Sequence, residues 1–158
     1  MSIYLPPDDA SILPDQDDLA ADPDDDTTAY YGSEYSFDFD TGDLATEVGG
    51  EVSLVSGPDA VAQSLTKALT TQRFAHLAYT ADYGNEAHEA LANPPVGTTL
   101  ADVALSYCAE VIQNDPRVAG VDSLDTVVNT GAETVQVTCT VIDTFGSIID
   151  LDVTFSYA

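Results

Sequence analysis

Basic residues are almost missing from this chain. Lys67, Arg73 and Arg117 stand against 28 acidic residues, which leaves a formal charge of −25 on 158 residues. A surface of that sign repels nucleic-acid phosphates and anionic membranes, both of which are held through Lys and Arg. Neither is expected as a partner. No apolar run approaches the roughly 18 residues of a membrane span. No cationic start followed by an apolar stretch marks a Sec-type signal peptide. Cysteine is scarce too: Cys108 and Cys139 form no CxxC pair and have no histidine near them in sequence, so a zinc site is not expected. Both fall on apolar faces of predicted elements and read as buried thiols.

What is present is acid of one kind. Asp outnumbers Glu by 21 to 7, and 44% of the chain is hydrophobic, enough for the core of one domain. Self-repulsion at this charge destabilises a small fold in dilute buffer. Molar salt shortens the Debye length to about 3 Å and removes most of that cost. The near-loss of lysine therefore reads as adaptation to high salt, with synthesis in the cytoplasm of a salt-in halophile.

Residues 1–34 read as an extended acidic arm, with nine Asp and four Pro by position 26 and no basic residue. Its apolar residues, such as Ile12, Leu13 and Leu19, follow no period and are suited to short docking anchors. A folded domain is expected over 35–158. Tyr35, Phe37 and Phe39 alternate with polar residues, the period of a half-buried strand, and Asp40-Thr41-Gly42-Asp43 is turn chemistry. Short strand-like pieces surround Gly49-Gly50. Pro58 suits a first helical turn, and Val61, Leu65, Ala68 and Leu69 form one apolar stripe up to about Thr71. A short helix is expected near 86–91. The clearest element spans 99–114, where Leu100, Val103, Ala104, Tyr107, Cys108, Val111 and Ile112 all meet the helical template. Thr98 or Thr99 caps it, and Asp115-Pro116 ends it.

Three alternating strands follow, with turns at Asn129-Thr130-Gly131 and Asp143-Thr144-Phe145-Gly146. Val135, Val137, Cys139 and Val141 share one face, as do Ile149, Leu151, Val153 and Phe155. The expected fold is α+β: a small antiparallel sheet packed against two amphipathic helices, preceded by the arm.

Catalytic signatures are weak. Asp40-Thr41-Gly42 matches the aspartic-protease tripeptide, but no second copy exists and the first sits at a turn. Asp22, Asp24 and Asp26 lack the Gly and Glu that an EF-hand loop needs. His76 and His88 lack a zinc-pair spacing and read as surface residues. No nucleophile elbow, phosphate loop or dinucleotide fingerprint appears. Arg73 and Arg117 are retained where basic residues have been nearly abandoned, which points to specific carboxylate partners.

Several short motifs occur in a telling order. They are Phe39-Asp40-Thr41-Gly42, a helix with Gly57, Ala60 and Leu65, then Leu69-Thr70-Thr71-Gln72-Arg73-Phe74, and an aromatic segment ending Asp82-Tyr83-Gly84. After a second helix come Asp115, Arg117 and Val118, and a last hairpin turning at Phe145-Gly146. Over about residues 35–157 this order resembles the gene-25-like baseplate wedge family of contractile phage tails, in the branch found in defective prophages of Gram-positive bacteria. Gln72 departs from the Glu that many relatives carry there. The resemblance implies a structural subunit of the tail baseplate, in several copies with six-fold arrangement, that joins the hub to the sheath and starts the sheath by strand exchange. Implied partners are other wedge subunits, hub or spike proteins and the sheath protein; no cofactor or metal is implied. The implied assembly surface includes Arg73, Tyr83, Gly84 and the terminal strand with Ile149, Leu151, Val153 and Phe155. Some relatives have been called lysozymes, so a tail-associated wall hydrolase is the alternative.

Overall fold

The computed structural model describes residues 32–157. The acidic arm lies outside them except for Gly32, Ser33 and Glu34, and the last two already belong to a strand. The described chain runs β1 (Ser33–Tyr35), β2 (Phe37–Asp38), β3 (Asp43–Leu44), β4 (Leu54–Ser56), α1 (Pro58–Thr70), α2 (Ala87–Ala92), α3 (Leu100–Gln113), β5 (Val118–Asn129), β6 (Thr134–Asp143) and β7 (Ile148–Ser156).

The last three strands form an antiparallel meander in the order β5-β6-β7. Alternation along β6 and β7 puts Val135, Val137, Cys139, Val141, Ile149, Leu151, Val153 and Phe155 on one buried face. The helices cover that face. α1 contributes Val61, Leu65 and Leu69, and α3 contributes Val103, Ala104, Cys108, Val111 and Ile112. The sequence reading supplies two covering helices; the short α2 adds a third piece through Ala87 and Leu91. Each fully buried Val, Leu or Ile side chain contributes about 1.5–3 kcal/mol, so this one layer carries most of the fold's stability.

Local chemistry sets the helix ends. Gly57 at φ 64° turns the chain into Pro58, and Thr71 leaves α1 in extended geometry. Thr99 and Asp102 form a reciprocal capping box at the start of α3: the Asp102 amide donates to the Thr99 hydroxyl at 3.1 Å, and the Thr99 amide to the Asp102 carboxylate at 3.2 Å. Such caps contribute about 1 kcal/mol. These hydrogen bonds from Thr99 hold the Asp102 pKa below the usual carboxylate value.

Within 33–56 the short strands expected on either side of Gly49-Gly50 form, with an antiparallel bridge between Thr46 and Val52, but the strand expected over 35–39 does not run through. The alternation of Tyr35, Phe37 and Phe39 predicts one half-buried strand. The chain instead changes partner at Ser36: Tyr35 pairs with Leu54, and Phe37 with Leu44. Tyr35 is 64% exposed and Phe39 41%. Alternation requires only that side chains fall on two faces; it does not supply a layer to cover either one. The turn is as expected. The Asp38 carboxylate accepts from the amides of Asp40 and Thr41, and Gly42 adopts φ 74°.

Candidate assembly interface

Three features of the surface stand out: a clamped loop, an aromatic groove and a free sheet edge.

The loop runs from the end of α1 to the start of α2. Gln72 and Asn85 form a parallel bridge at its base, with Asn85 N–H on Thr71 O at 2.8 Å and Arg73 N–H on Asn85 O at 3.1 Å. Arg73 locks this base. Its Nε donates to Gly84 O at 3.2 Å, while Nη1 lies 3.2 Å from Glu86 and 2.9 Å from Glu110. Burial disfavours the guanidinium charge, but Glu110 and Glu86 outweigh burial and hold the Arg73 pKa above the usual arginine value. The two carboxylates come from the N-cap of α2 and from α3. Gly84 has a double reason to be glycine. It adopts φ 98°, and a Cβ there would stand 2.8 Å from Thr71 O and 3.1 Å from Arg73 N. Buried Asn85 accepts from the Ala87 amide and donates to Cys108 Sγ, which ties the loop to both α2 and α3. Between these anchors the loop presents Phe74, 71% exposed at φ 64°, and fully exposed Leu77. A bulky residue at positive φ is a strained arrangement that its surroundings must enforce.

The groove lies between the 33–54 ribbon and the outer side of α1. It encloses about 990 Å³ and is lined by Tyr35, Phe37, Phe39, Leu54 and Lys67, with Tyr79 and Tyr83 at one end. Gln63 fastens the ribbon to the helix by acting as a strand partner: its Oε1 accepts from Phe37 N–H at 2.7 Å and its Nε2 donates to Tyr35 O at 2.8 Å. Tyr83 packs on Tyr79 with ring centroids 4.5 Å apart. Burial, then the neighbouring Tyr79 and Glu34, push the Tyr83 pKa up. Lys67 Nζ sits 5.6 Å over the Tyr79 ring. Arg117 braces the groove through Ser64 and Glu34, which also line it. It forks onto Asp115 at 3.0 and 2.7 Å, donates to Ser64 at 2.7 Å and reaches Glu34 at 3.8 Å.

The sheet edge is β7. Tyr157 N–H donates to Glu133 O, and Asp143 N–H to Ser147 O. These bonds fix the phase of the antiparallel ladder. Odd-numbered residues of β7 turn their N–H and C=O groups toward β6, and their side chains lie in the core. Ile148, Asp150, Asp152, Thr154 and Ser156 turn theirs outward, where no described strand pairs with them. β6 and β7 pair without a register shift. β5, the opposite edge, carries two irregularities, at 118–120 and 121–123, and such bulges blunt an edge.

The expected site residues thus divide. Arg73 and Gly84 build the base of the loop, and Tyr83 stands at the end of the groove. Ile149, Leu151, Val153 and Phe155 are buried, so a strand added at β7 meets the alternate residues instead. The exposed Phe74 and Leu77 and the groove floor are absent from the sequence-based selection. The signal available for them was the density of aromatics in 35–39 and 74–83. Asp40 occupies an exposed hairpin turn. His88, expected at the surface, is half-buried edge-on to Phe155 at 5.2 Å. Among the described residues no group of three or more His, Cys, Asp or Glu side chains is arranged to hold a metal ion, and no helix is long and apolar enough to cross a membrane.

A family model described as the contractile injection system sheath initiator matches residues 33–146. No curated protein matches the chain. Among solved structures, a protein of Geobacter sulfurreducens described as a tail lysozyme superposes with a TM-score of 0.57 at 18% identity, over 68% of this chain and 97% of that one. At that identity the likeness shows a shared fold.

Proposed function

The chain belongs to the contractile injection system sheath initiator family, and on that premise we propose that it is a structural baseplate wedge subunit on which the first sheath ring is built. Its family role lies with the tail and sheath components of a contractile machine. The observation that carries the finer reading is the regular outer edge of β7, five residues with outward backbone groups, beyond the end of the family match at Gly146. An extended sheath segment adds there as a further strand, its main-chain bonds supplying affinity. The clamped loop and its exposed Phe74 and Leu77 form a second contact, toward the hub or a neighbouring wedge. The proposed copy number is six per baseplate.

The subunit acts without catalysis. The description of the Geobacter protein as a lysozyme belongs to that protein. Among the described residues that line the groove Glu34 is the single carboxylate, already within 3.4 Å of Gln63 and 3.8 Å of Arg117. Hydrolysis of a glycosidic bond needs two carboxyl groups flanking the substrate. The charge of −25 fits a particle assembled in molar salt, where the sheet edge is not shielded by repulsion.

The test is affinity purification of the tagged protein from its producing cells in molar salt, with mass spectrometry and electron microscopy of the eluate. Sheath, hub and wedge proteins in baseplate-like particles are expected. A clean monomer without such partners would overturn the proposal.

A further inference from the structure

The groove beside α1 is an apolar surface left open in the described fold. Tyr35 and Leu54 are each more than 60% exposed there, and Phe39 is 41% exposed. Lys67, one of only three basic residues, stands within it. Arg73 and Arg117 are both engaged with carboxylates; Lys67 forms no ion pair among the described residues and rests against Tyr79.

We infer that the occupant of this groove is the chain's own acidic segment before residue 32, with Leu19, Tyr30 and Tyr31 on the aromatic floor and Asp residues of 22–26 at Lys67. Four observations select it over a foreign segment. Ser33, Glu34 and Tyr35 line the groove, so the segment is tethered at its rim. The segment holds nine Asp and no basic residue, opposite in sign to Lys67, which forms no ion pair among the described residues, whereas Glu34, which also lines the groove, is already engaged by Arg117. The segment includes bulky apolar residues, Leu19, Tyr30 and Tyr31 among them, as contact with Phe37, Phe39 and Tyr79 requires. The 31 residues span up to about 100 Å when extended, more than such a groove needs. Tethering also gives the segment an effective concentration on the order of millimolar, so modest contacts suffice. Molar salt weakens the Lys67 attraction but strengthens apolar burial, so docking persists under those conditions.

The experiment uses the full chain in molar salt, with benzoylphenylalanine in place of Leu54 and, separately, of Tyr35. Both positions are exposed, so the fold is retained. After illumination, adducts are mapped by mass spectrometry. The expected adducts fall within residues 19–31 and run in the monomer band. They drop about tenfold in a Tyr30→Ser/Tyr31→Ser variant, the loss of two aromatic contacts, and less in Lys67→Gln. Adducts to 19–31 that run as a dimer would assign the groove to a second copy and overturn the inference. So would adducts that avoid 19–31 at both probe positions, or a yield unchanged by the tyrosine substitutions.

Discussion

Thr154→Pro separates the outer edge of β7 from the fold behind it. Thr154 turns its N–H away from β6, and its side chain lies on the exposed face. Proline there removes no bond of the β6–β7 ladder, and edge positions of this kind tolerate it. Val153 is already extended, as a residue before proline must be. The expected cost to the isolated protein is at most about 1 kcal/mol, the span of strand propensity. An added strand loses more. One of its carbonyls is buried without a donor, which costs about 1–3 kcal/mol, or roughly 5- to 150-fold in affinity. Val153→Pro is the opposite control: its N–H faces β6 opposite Val137, and its side chain is buried. That variant loses the fold first. Denaturant unfolding in molar salt measures the cost to the fold, and sheath assembly on purified baseplates, counted by electron microscopy, measures the cost to addition. A folded Thr154→Pro protein that still starts sheaths within about twofold of wild type would show that this edge is not the template.

Other outcomes follow from the same geometry. Gly84→Ala places a Cβ 2.8 Å from Thr71 O at a positive φ and is expected to cost about 2–4 kcal/mol in denaturant unfolding. Arg73→Gln leaves Glu86 and Glu110 without their shared cation; because both acids are partly exposed, the expected loss is about 1–2 kcal/mol, with faster amide exchange in residues 73–84. Burial pushes Cys108 up to about 12 and Cys139 up to about 11, so neither thiol should react with maleimide at pH 8 until the protein unfolds. Burial raises the Asp115 pKa, but the hydrogen bonds from Arg117 outweigh it and hold it below the usual carboxylate value. Its stabilisation is therefore complete above the unfolded pKa near about 4 and is lost as pH falls through the lower folded value. Asp115→Asn should make the acid limb of a stability–pH curve shallower below pH of about 4.

The helices and the meander were legible because their signals are periodic. Seven apolar positions mark α3, and strict alternation marks β6 and β7. Which face of β7 a partner meets is legible only once the ladder's phase is known, because side-chain alternation and backbone alternation are locked together. Arg73 announced a carboxylate partner, but Glu86 and Glu110 lie 13 and 37 residues away and follow no local rule. Gly84 could be read as a motif residue; its close approach to Thr71 O exists only after the loop base closes. The open groove was hidden for a different reason. Tyr35, Phe37 and Phe39 carry a core-like pattern without a second layer to bury them.

The unequal edges of the meander make it a one-sided template. β7 is regular along its whole length, while the two irregularities in β5 confine its unbroken pairing with β6 to Ser123–Asn129. Under the proposed function, copies of this chain are therefore poorly matched for pairing β5 to β7 into a ribbon or fibre, and sheath growth proceeds outward from β7 in a single direction.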